Sequence, residues 1–364
     1  MSDVRSATDP IGLVRELVDD ARTRADRTVR SLRNGLRMYA RLDRPPIAST
    51  PKDVVWSRDK VELWRYRSDR RRGGPPLVIV HSLVNRSYIF DLVPGNSMVE
   101  ALLERGLDVY LIDWGVPDAA DAENSLETYC DDYLPEIVRT AVATSGAESA
   151  NVLGYCFGGV LALLYAAGHT DDPISSLITL ATPVDQSKLP TQLRFTGETG
   201  FDPDIVIDET GNAPGSVIGE AIRSLAPTAE LSSYVNLASK LWDEDYVAAH
   251  TAMDTWSNDE VPFAGEAFRQ SARMLGERNG FVNDLLEMGG ERRSLADITV
   301  PFLNVYGEKD HIVPADATRP LSNLVGSEDV TDLALDAGHV GLFIGRRAHQ
   351  HGVPAMVDWI DARS

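Results

Sequence analysis

The hydrophobic and polar positions near the start of the chain repeat with a helical period. From residue 11 to residue 42, apolar side chains recur every three or four positions: Val14, Val18, Ala21, Ala25, Val29, Leu32, Leu36 and Tyr39. This spacing predicts one amphipathic helix, which Pro45 and Pro46 end because proline cannot continue a helix. The apolar stripe either packs on the helix's own domain, the interpretation we favour, or docks on a partner.

Beyond residue 50 the pattern changes to short apolar runs separated by helical segments. Residues 54–56 and 61–67 predict an antiparallel pair, and the continuous run LVIVH at 77–81 is typical of a buried central strand. Further strands are predicted at 109–112, 151–153, 174–180, 300–306 and 330–335. Strands that alternate with helices, such as the one predicted over 125–144, indicate a mostly parallel sheet flanked by helices.

The alternation breaks between residues 185 and 297. This stretch is rich in Gly, Pro, Asp and Asn and then becomes helical at 229–240 and 262–275. An insertion of roughly 110 residues between two strands is too long for a loop, so we predict a cap subdomain, which usually covers an active site. The expected organisation is an N-terminal helical segment at 1–50, an α/β core at 51–184 and 298–364, and a cap at 185–297.

Composition narrows the class of protein. The 364 residues carry 55 acidic and 35 basic side chains, a net charge of −20, and a field of that sign repels nucleic acid and anionic lipid. Two cysteines cannot form a disulfide framework, and no Cys or His spacing is typical of a zinc site, so no metal is expected. The first residues lack the apolar segment of a signal peptide, which favours a soluble, cytoplasmic protein.

The basic residues are strongly biased, with five lysines among the 35. Arginine excess together with acidic excess is typical of proteins from a high-salt cytoplasm, where salt screens the self-repulsion of an acidic surface. A GC-rich genome would explain the arginine bias alone. Both interpretations stay open.

The strongest chemical signal is the hexapeptide GYCFGG at residues 154–159. It follows a predicted strand and precedes an apolar helix, which is the setting of the nucleophile elbow G-x-S-x-G in α/β-hydrolases, here with cysteine in place of serine. Gly154 and Gly158 permit the sharp turn. The helix N-terminus and the backbone N–H of Phe157 would stabilise first a thiolate and then an oxyanion. We therefore predict that Cys156 is the nucleophile.

The partners of such a nucleophile follow it in the order acid, then histidine. Asp310 lies in the loop after the strand predicted at 300–306, and His339 lies between two glycines after the last strand. Both follow carboxyl ends of strands, where open α/β sheets bind ligands. Asp113 is the alternative acid, and Cys130 is expected to be structural. Among the other histidines, His81 ends an earlier strand, and the side chain of His311 is expected to point away from the adjacent Asp310. His169, His250, His349 and His351 are interpreted as surface or packing residues.

The oxyanion hole needs a second backbone donor besides Phe157. In this fold it comes from the loop after the first parallel strand, which here begins at Ser82. Val84 or Asn85 is the candidate donor.

Five segments between residues 77 and 345 match one known family: 83–86 (LVNR) with Tyr88 and residues 91–92, then 110–115, 154–159, 307–314 and 338–341. On these motifs the chain resembles the polyhydroxyalkanoate synthases, specifically the class III catalytic subunit. The resemblance implies an α/β-hydrolase fold with a cap, and a Cys156–His339–Asp310 triad acting on (R)-3-hydroxyacyl-CoA. It implies no cofactor, because coenzyme A is part of the substrate and a product. It also implies a homodimer, a smaller helical partner subunit (PhaE) and a place at polymer granules in the cytoplasm.

Thiol chemistry also favours acyl transfer, since exchange between a thiol and a thioester is nearly isoenergetic and retains the acyl group. The alternative enzyme is a cysteine-type α/β-hydrolase, such as an intracellular polyester depolymerase or a thioesterase. A non-catalytic granule protein of the same fold is the third interpretation, against which the complete set of Cys156, Asp310 and His339 argues.

Overall fold

An eight-stranded sheet lies at the centre of the computed structural model, which describes residues 10–39, 45–194, 201–225 and 229–363. Its strands are β1 (Lys52–Arg58), β2 (Val61–Tyr66), β3 (Leu77–Val80), β4 (Val109–Asp113), β5 (Ala150–Tyr155), β6 (Ile174–Leu180), β9 (Phe302–Gly307) and β10 (Val330–Leu335). A separate hairpin consists of β7 (Leu286–Met288) and β8 (Glu291–Arg293).

The strands of the large sheet lie in the order β1-β2-β4-β3-β5-β6-β9-β10. From β4 to β10 all neighbours are parallel, whereas β2 pairs antiparallel with β4 and β1 antiparallel with β2. Every residue of β3 and of β5 is buried, as expected of central strands covered on both faces. The predicted α/β-hydrolase type of sheet is confirmed.

The described residues also form eleven α-helices. They are α1 (Pro10–Tyr39), α2 (Met98–Glu104), α3 (Leu134–Ser145), α4 (Phe157–Gly168), α5 (Gly215–Ser224), α6 (Ala229–Lys240), α7 (Glu244–Ser257), α8 (Gly265–Gln270), α9 (Ala315–Thr318), α10 (Leu321–Leu324) and α11 (Val353–Asp361).

Some helices differ from the prediction. The helix predicted over 125–144 begins with a π-helical turn, Thr128–Tyr133, before α3, and the one predicted over 262–275 is α8 followed by a π-helical turn, Ser271–Glu277. The first helix ends at Tyr39 rather than 42, and residues 40–44 lie outside the described part of the chain. The sequence pattern does not predict α5, α7, α9, α10 or α11.

The chain forms two compact units whose boundaries differ from the predicted ones. One unit comprises residues 1–45 and 228–254, and the other comprises 46–227 and 255–364. Much of the expected 185–297 cap therefore belongs to the unit that contains the sheet. The reason is apolar packing: Phe263 and Phe268 are buried in the same hydrophobic core as the central strands, and Ala213 pairs with Phe263 through backbone hydrogen bonds.

In the smaller unit, α1 packs through polar side chains. The Asn34 amide, only 3% exposed, donates to the backbone oxygen of Leu241 at 2.7 Å. The guanidinium of Arg27 lies 4.5 Å from the ring centre of Trp242. These contacts of α1 within its unit are thus made by polar side chains and not by its apolar stripe.

The apolar stripe itself is exposed. Val29, Leu32 and Leu36 retain 65%, 65% and 68% of their accessible surface. The favoured interpretation, that the stripe packs on the helix's own domain, is therefore wrong for these three residues. The side chains of Val14, Val18 and Tyr39 lie outside the described part of the chain.

A buried arginine anchors the far end of α4. Nη1 of Arg293 donates to the carbonyl oxygen of Leu164 at 2.8 Å, and Nη2 contacts both carboxylate oxygens of Asp131 at 2.6 and 2.7 Å. A cation here adds a second donor to a carbonyl near the end of the helix and complements the negative end of the helix dipole. The contact fixes the helix that begins just after Cys156.

We predict that Arg293→Met lowers the free energy of unfolding by about 2–4 kcal/mol, because it removes a buried charged donor from the Leu164 carbonyl and leaves Asp131 with His169 as its remaining side-chain partner. Urea denaturation measures the change. The neighbouring Arg292, 72% exposed and paired with Asp284, is the matched control, and Arg292→Met should cost less than about 1 kcal/mol. Equal losses in the two variants would contradict the assignment.

Candidate active site

Cys156 occupies the turn between β5 and α4. β5 ends at Tyr155 and α4 begins at Phe157, so Cys156 alone forms the junction, with φ 53° and ψ −121°. This backbone conformation is rare for a residue with a side chain and is characteristic of functional sites. The thiol is partly exposed, whereas β5 and nearly all of α4 are buried. The turn therefore presents the sulfur at the carboxyl end of the sheet.

Two glycines make this turn possible. A Cβ on Gly158 would lie 2.1 Å from the carbonyl oxygen of Val80, and one on Gly154 would lie 2.5 Å from the Cα of Gly159. Real Cβ atoms do not approach so closely, so any side chain at either position would push α4 away from the sheet. The pattern G-x-C-x-G is thus a steric requirement of the turn.

His339 and Asp310 meet at the adjacent carboxyl ends of β9 and β10. Nδ1 of His339 lies 2.7 Å from Oδ2 of Asp310, and Oδ1 of Asp310 accepts from the backbone N–H groups of Ile312 and Val313 at 2.8 and 2.9 Å. The Asp310 side chain is fully buried and that of His339 is 8% exposed. With Nδ1 engaged by the carboxylate, Nε2 is left for the thiol.

The electrostatics of the three groups are coupled. Burial by itself would lower the pKa of His339, but the charges of Asp310 and Cys156 raise it to about 10. An imidazole with such a pKa is protonated at neutral pH. Asp310, behind Nδ1, and Cys156 therefore together favour the imidazolium form of His339.

An apolar cavity of about 120 Å³ opens beside the sulfur. Its walls are almost wholly hydrophobic and include Val84, Phe157, Leu189, Ile218 and Phe263. Gln186 and Ser271 are the polar side chains in this wall. A short acyl chain fits such a lining better than a charged group does.

The structure brings two of the three predicted oxyanion donors to this cavity. Phe157 is the first residue of α4, and both Phe157 and Val84 line the cavity. The N–H of Val84 lies 3.5 Å from Oγ of Ser82, at the limit of a hydrogen bond. Asn85 is partly buried and is not one of the lining residues.

The alternative residues lie in other surroundings. Asp113 accepts from the N–H of Gly115 at 2.9 Å, and His311 is exposed. His169 pairs with Asp131 at 2.9 Å. Cys130 is buried, and its pKa is raised mainly by that burial and further by the charge of Asp131, as expected of a structural thiol.

Among the described residues, no group of three or more His, Cys, Asp or Glu side chains is arranged to hold a metal ion. None of the helices in the described ranges is long and apolar enough to cross a bilayer.

Two family models match the sequence. Residues 75–345 match the alpha/beta hydrolase fold, and residues 39–102 match the N-terminus of poly-beta-hydroxybutyrate polymerase (PhaC). A candidate lipase from Sulfolobus solfataricus has a similar structure, with a TM-score of 0.53 and 16% identity over 86% of this chain and 97% of its own. At that identity the likeness concerns the fold alone.

Relatives with curated names extend over most of the chain. The poly(3-hydroxyalkanoate) polymerase subunit PhaC of Allochromatium vinosum is 39% identical, over 86% of this chain and 89% of its own length. The corresponding subunits of Synechocystis and Haloferax mediterranei are 32% and 33% identical, each over 87% of this chain and over 86% and 65% of their own lengths. The resemblance to the polyhydroxyalkanoate synthases is confirmed, whereas the class III assignment stays a prediction, and the chain belongs to the poly(3-hydroxyalkanoate) polymerase family of the α/β-hydrolase fold.

Proposed function

We propose that the chain polymerises (R)-3-hydroxyacyl-CoA and releases coenzyme A through covalent acyl intermediates on Cys156. The observation that carries the proposal is a cysteine, rather than a serine, in the strained elbow beside a buried His339–Asp310 pair. Membership of the polymerase family gives the substrate class. No cofactor is needed, because the thioester of the substrate supplies the free energy of polymerisation.

In the acylation step the Cys156 thiolate attacks the thioester carbonyl. A bond forms between the sulfur and the acyl carbon, and negative charge moves to the carbonyl oxygen, where the N–H groups of Phe157 and Val84 can stabilise it. The bond to the sulfur of coenzyme A then breaks. The imidazolium of His339 gives its proton to that leaving thiolate, so the step ends with acyl-cysteine and a neutral imidazole.

Chain growth requires the 3-hydroxyl of another hydroxyacyl group to attack the acyl-cysteine. Its proton passes to the neutral imidazole of His339, an ester bond forms, and the thiolate of Cys156 is regenerated, with the lengthened chain now carried on the coenzyme A of the attacking unit. That thioester acylates Cys156 again and releases its coenzyme A, so the longer chain returns to the cysteine. Asp310 is fully buried, and both of its oxygens are engaged by His339 and by backbone N–H groups. This arrangement favours an orienting role for Asp310 over direct contact with the hydroxyl.

A cysteine-type hydrolase would use the same acyl-enzyme and resolve it with water. The apolar lining of the cavity favours retention of the acyl group over entry of water. The insoluble product would place the enzyme at polymer granules in the cytoplasm.

We further propose that α1 binds a second, helical subunit of the PhaE type. The relatives are themselves called subunits. The stripe of Val29, Leu32 and Leu36 continues the three- and four-residue spacing of a helix–helix seam and is exposed. From Pro10 to Tyr39 the helix carries seven arginines and four acidic residues, in a chain of net charge −20. A partner helix with an apolar seam and acidic flanks would complement it. The homodimer stays a prediction.

The first prediction concerns the charge state of the thiol. Because its pKa is raised to about 10, His339 should stay protonated at lower pH and lose its proton as pH rises through that value. The ion pair with the thiol is then lost. Alkylation of Cys156 by iodoacetamide should therefore already be fast at pH 7. In His339→Gln the rate should rise with pH through the ordinary thiol pKa of about 8.5. A Cys130→Ala background removes the other thiol, and a wild-type rate that also titrates near 8.5 would contradict the ion pair.

The second prediction concerns the nucleophile. Cys156→Ala should form no insoluble polymer from (R)-3-hydroxybutyryl-CoA, and Cys156→Ser should keep little activity, because a hydroxyl is a weaker nucleophile than a thiolate. Turbidity and solvent extraction measure the polymer. Cys130→Ala is the matched control and should retain activity. Release of coenzyme A by the wild type without any polymer would favour the hydrolase.

The third prediction separates the two chemical steps. Asp310→Asn should still release a first burst of coenzyme A, because a thiol at a helix N-terminus is readily deprotonated, but it should elongate poorly, because a hydroxyl needs a well-oriented base. His339→Gln should be impaired in both steps. Rapid-quench measurement of coenzyme A with mass spectrometry of the intact protein tests this. Failure of Asp310→Asn to acylate would show that Asp310 serves the thiol itself.

The fourth prediction concerns the seam on α1. The double variant Leu32→Gln, Leu36→Gln should fail to co-elute with a co-expressed PhaE-type subunit in size-exclusion chromatography, since it removes the apolar contact while keeping good helix formers. Thr23→Gln, an exposed position of α1 off the stripe, is the control. Undiminished co-elution of the double variant would place the interface elsewhere.

A further inference from the structure

His81 is a buried histidine whose ring has no hydrogen-bond partner. It follows β3 directly and is 2% exposed, yet neither Nδ1 nor Nε2 is paired within the part of the chain that the structure describes. Oδ1 of Asn85 in the following loop is also buried and unpaired there, whereas Nε of Arg86 makes no hydrogen bond but lies 3.7 Å from Oδ2 of Asp259. A buried polar atom without a hydrogen-bond partner costs free energy. Three such atoms in one short segment are therefore expected to have a function.

The segment 82–85 is held at both ends by indole N–H groups. Nε1 of Trp114 donates to the carbonyl oxygen of His81, and Nε1 of Trp256 donates to that of Arg86, each at 2.9 Å. The His81 backbone is fixed further by the elbow, because a Cβ on Gly158 would lie 2.6 Å from the same carbonyl oxygen. Adjustment in this region is thus confined to residues 82–85.

This segment contains the candidate oxyanion donor. Val84 lines the cavity with Cys156, and its N–H reaches only Oγ of Ser82, at 3.5 Å. An effective oxyanion donor must lie about 2.7–3.1 Å from the developing charge. The N–H of Val84 is thus weakly held and free to turn toward a bound carbonyl, provided that something fixes the loop in the turned position.

The surroundings of His81 keep its ring neutral. Burial is the main reason that the pKa of His81 is lowered to about 4, and the charge of Arg86 also lowers this pKa. The Asp113 carboxylate and the side chain of Asn85 act in the opposite direction. A neutral imidazole carries one N–H donor. The unpaired Oδ1 of Asn85 is an acceptor in the same buried space.

We propose that His81 is a positioning residue for the oxyanion hole. When a thioester carbonyl occupies the site, the imidazole N–H of His81 donates to Oδ1 of Asn85 and holds residues 82–85 so that the N–H of Val84 faces the carbonyl oxygen. The inference rests on the proposed acylation of Cys156 and names the group that orients its second oxyanion donor.

Two reactions of the same thiol test the proposal. Acylation by (R)-3-hydroxybutyryl-CoA passes through an oxyanion, whereas alkylation by iodoacetamide forms none. In His81→Phe the acylation rate should fall on the order of tenfold to a hundredfold, within the range seen when an oxyanion donor is lost. The alkylation rate should not change. His81→Gln, whose amide can also donate, should recover part of the acylation rate.

His349→Phe is the matched control. His349 also has a buried ring nitrogen without a partner, and it lies in a separate helical segment after His339. Neither reaction should change in that variant. If His81→Phe does not fold, Asn85→Ala removes the acceptor instead and should show the same selective loss.

The outcomes are distinct. Equal losses of the acylation and alkylation rates in His81→Phe would show that His81 supports the elbow. A normal acylation rate in that variant would show that His81 only fills space in the core. Either result overturns the proposal. If the wild type is not acylated by the CoA thioester, the proposed function fails. Acylation by phenyl thioacetate then tests His81 separately, with the same ratio expected between variant and wild type.

Discussion

The left-handed backbone of Cys156 is the constraint on which the site depends. A side chain with φ 53° and ψ −121° costs on the order of 1–3 kcal/mol, and it persists only because the elements on either side are fixed. β5 is buried along its whole length, and α4 packs against it at Gly154, lies against the end of β3 at Gly158 and is anchored at its far end by Arg293. The core thus holds Cys156 in a strained conformation and presents its sulfur at a helix N-terminus.

The chemistry of Cys156 follows from the groups that surround its sulfur. His339 comes from the end of another strand, with its Nδ1 held by a carboxylate that is fully buried and hydrogen-bonded to two backbone N–H groups. The raised pKa of His339 favours its imidazolium form beside the Cys156 sulfur. A thiolate suits a thioester substrate because the acyl group is retained at little free-energy cost. The apolar cavity then favours another hydroxyacyl group over water as the acceptor.

Much of this arrangement can be predicted from the sequence, because it depends on local rules. Glycine spacing around a strand-to-helix turn identifies Cys156, and positions just after strands identify Asp310 and His339. Other features depend on contacts distant in sequence. The period of α1 shows that a stripe exists but not that polar residues such as Asn34 make the contact, and nothing local links Arg293 to the end of α4. The environment of His81 likewise cannot be predicted locally, because it depends on Trp114 and Trp256, which lie far from it in the sequence.

The most direct test of the account is to find where the growing chain is attached. The wild-type enzyme would be mixed with (R)-3-hydroxybutyryl-CoA, quenched in acid within a turnover and digested, and its thiol peptides analysed by mass spectrometry. The account predicts a series of masses separated by one hydroxybutyryl unit on the peptide that contains Cys156, and none on the peptide that contains Cys130. Oligomers attached to any other residue, or a single hydroxybutyryl unit on Cys156 that is lost only as free acid, would contradict it.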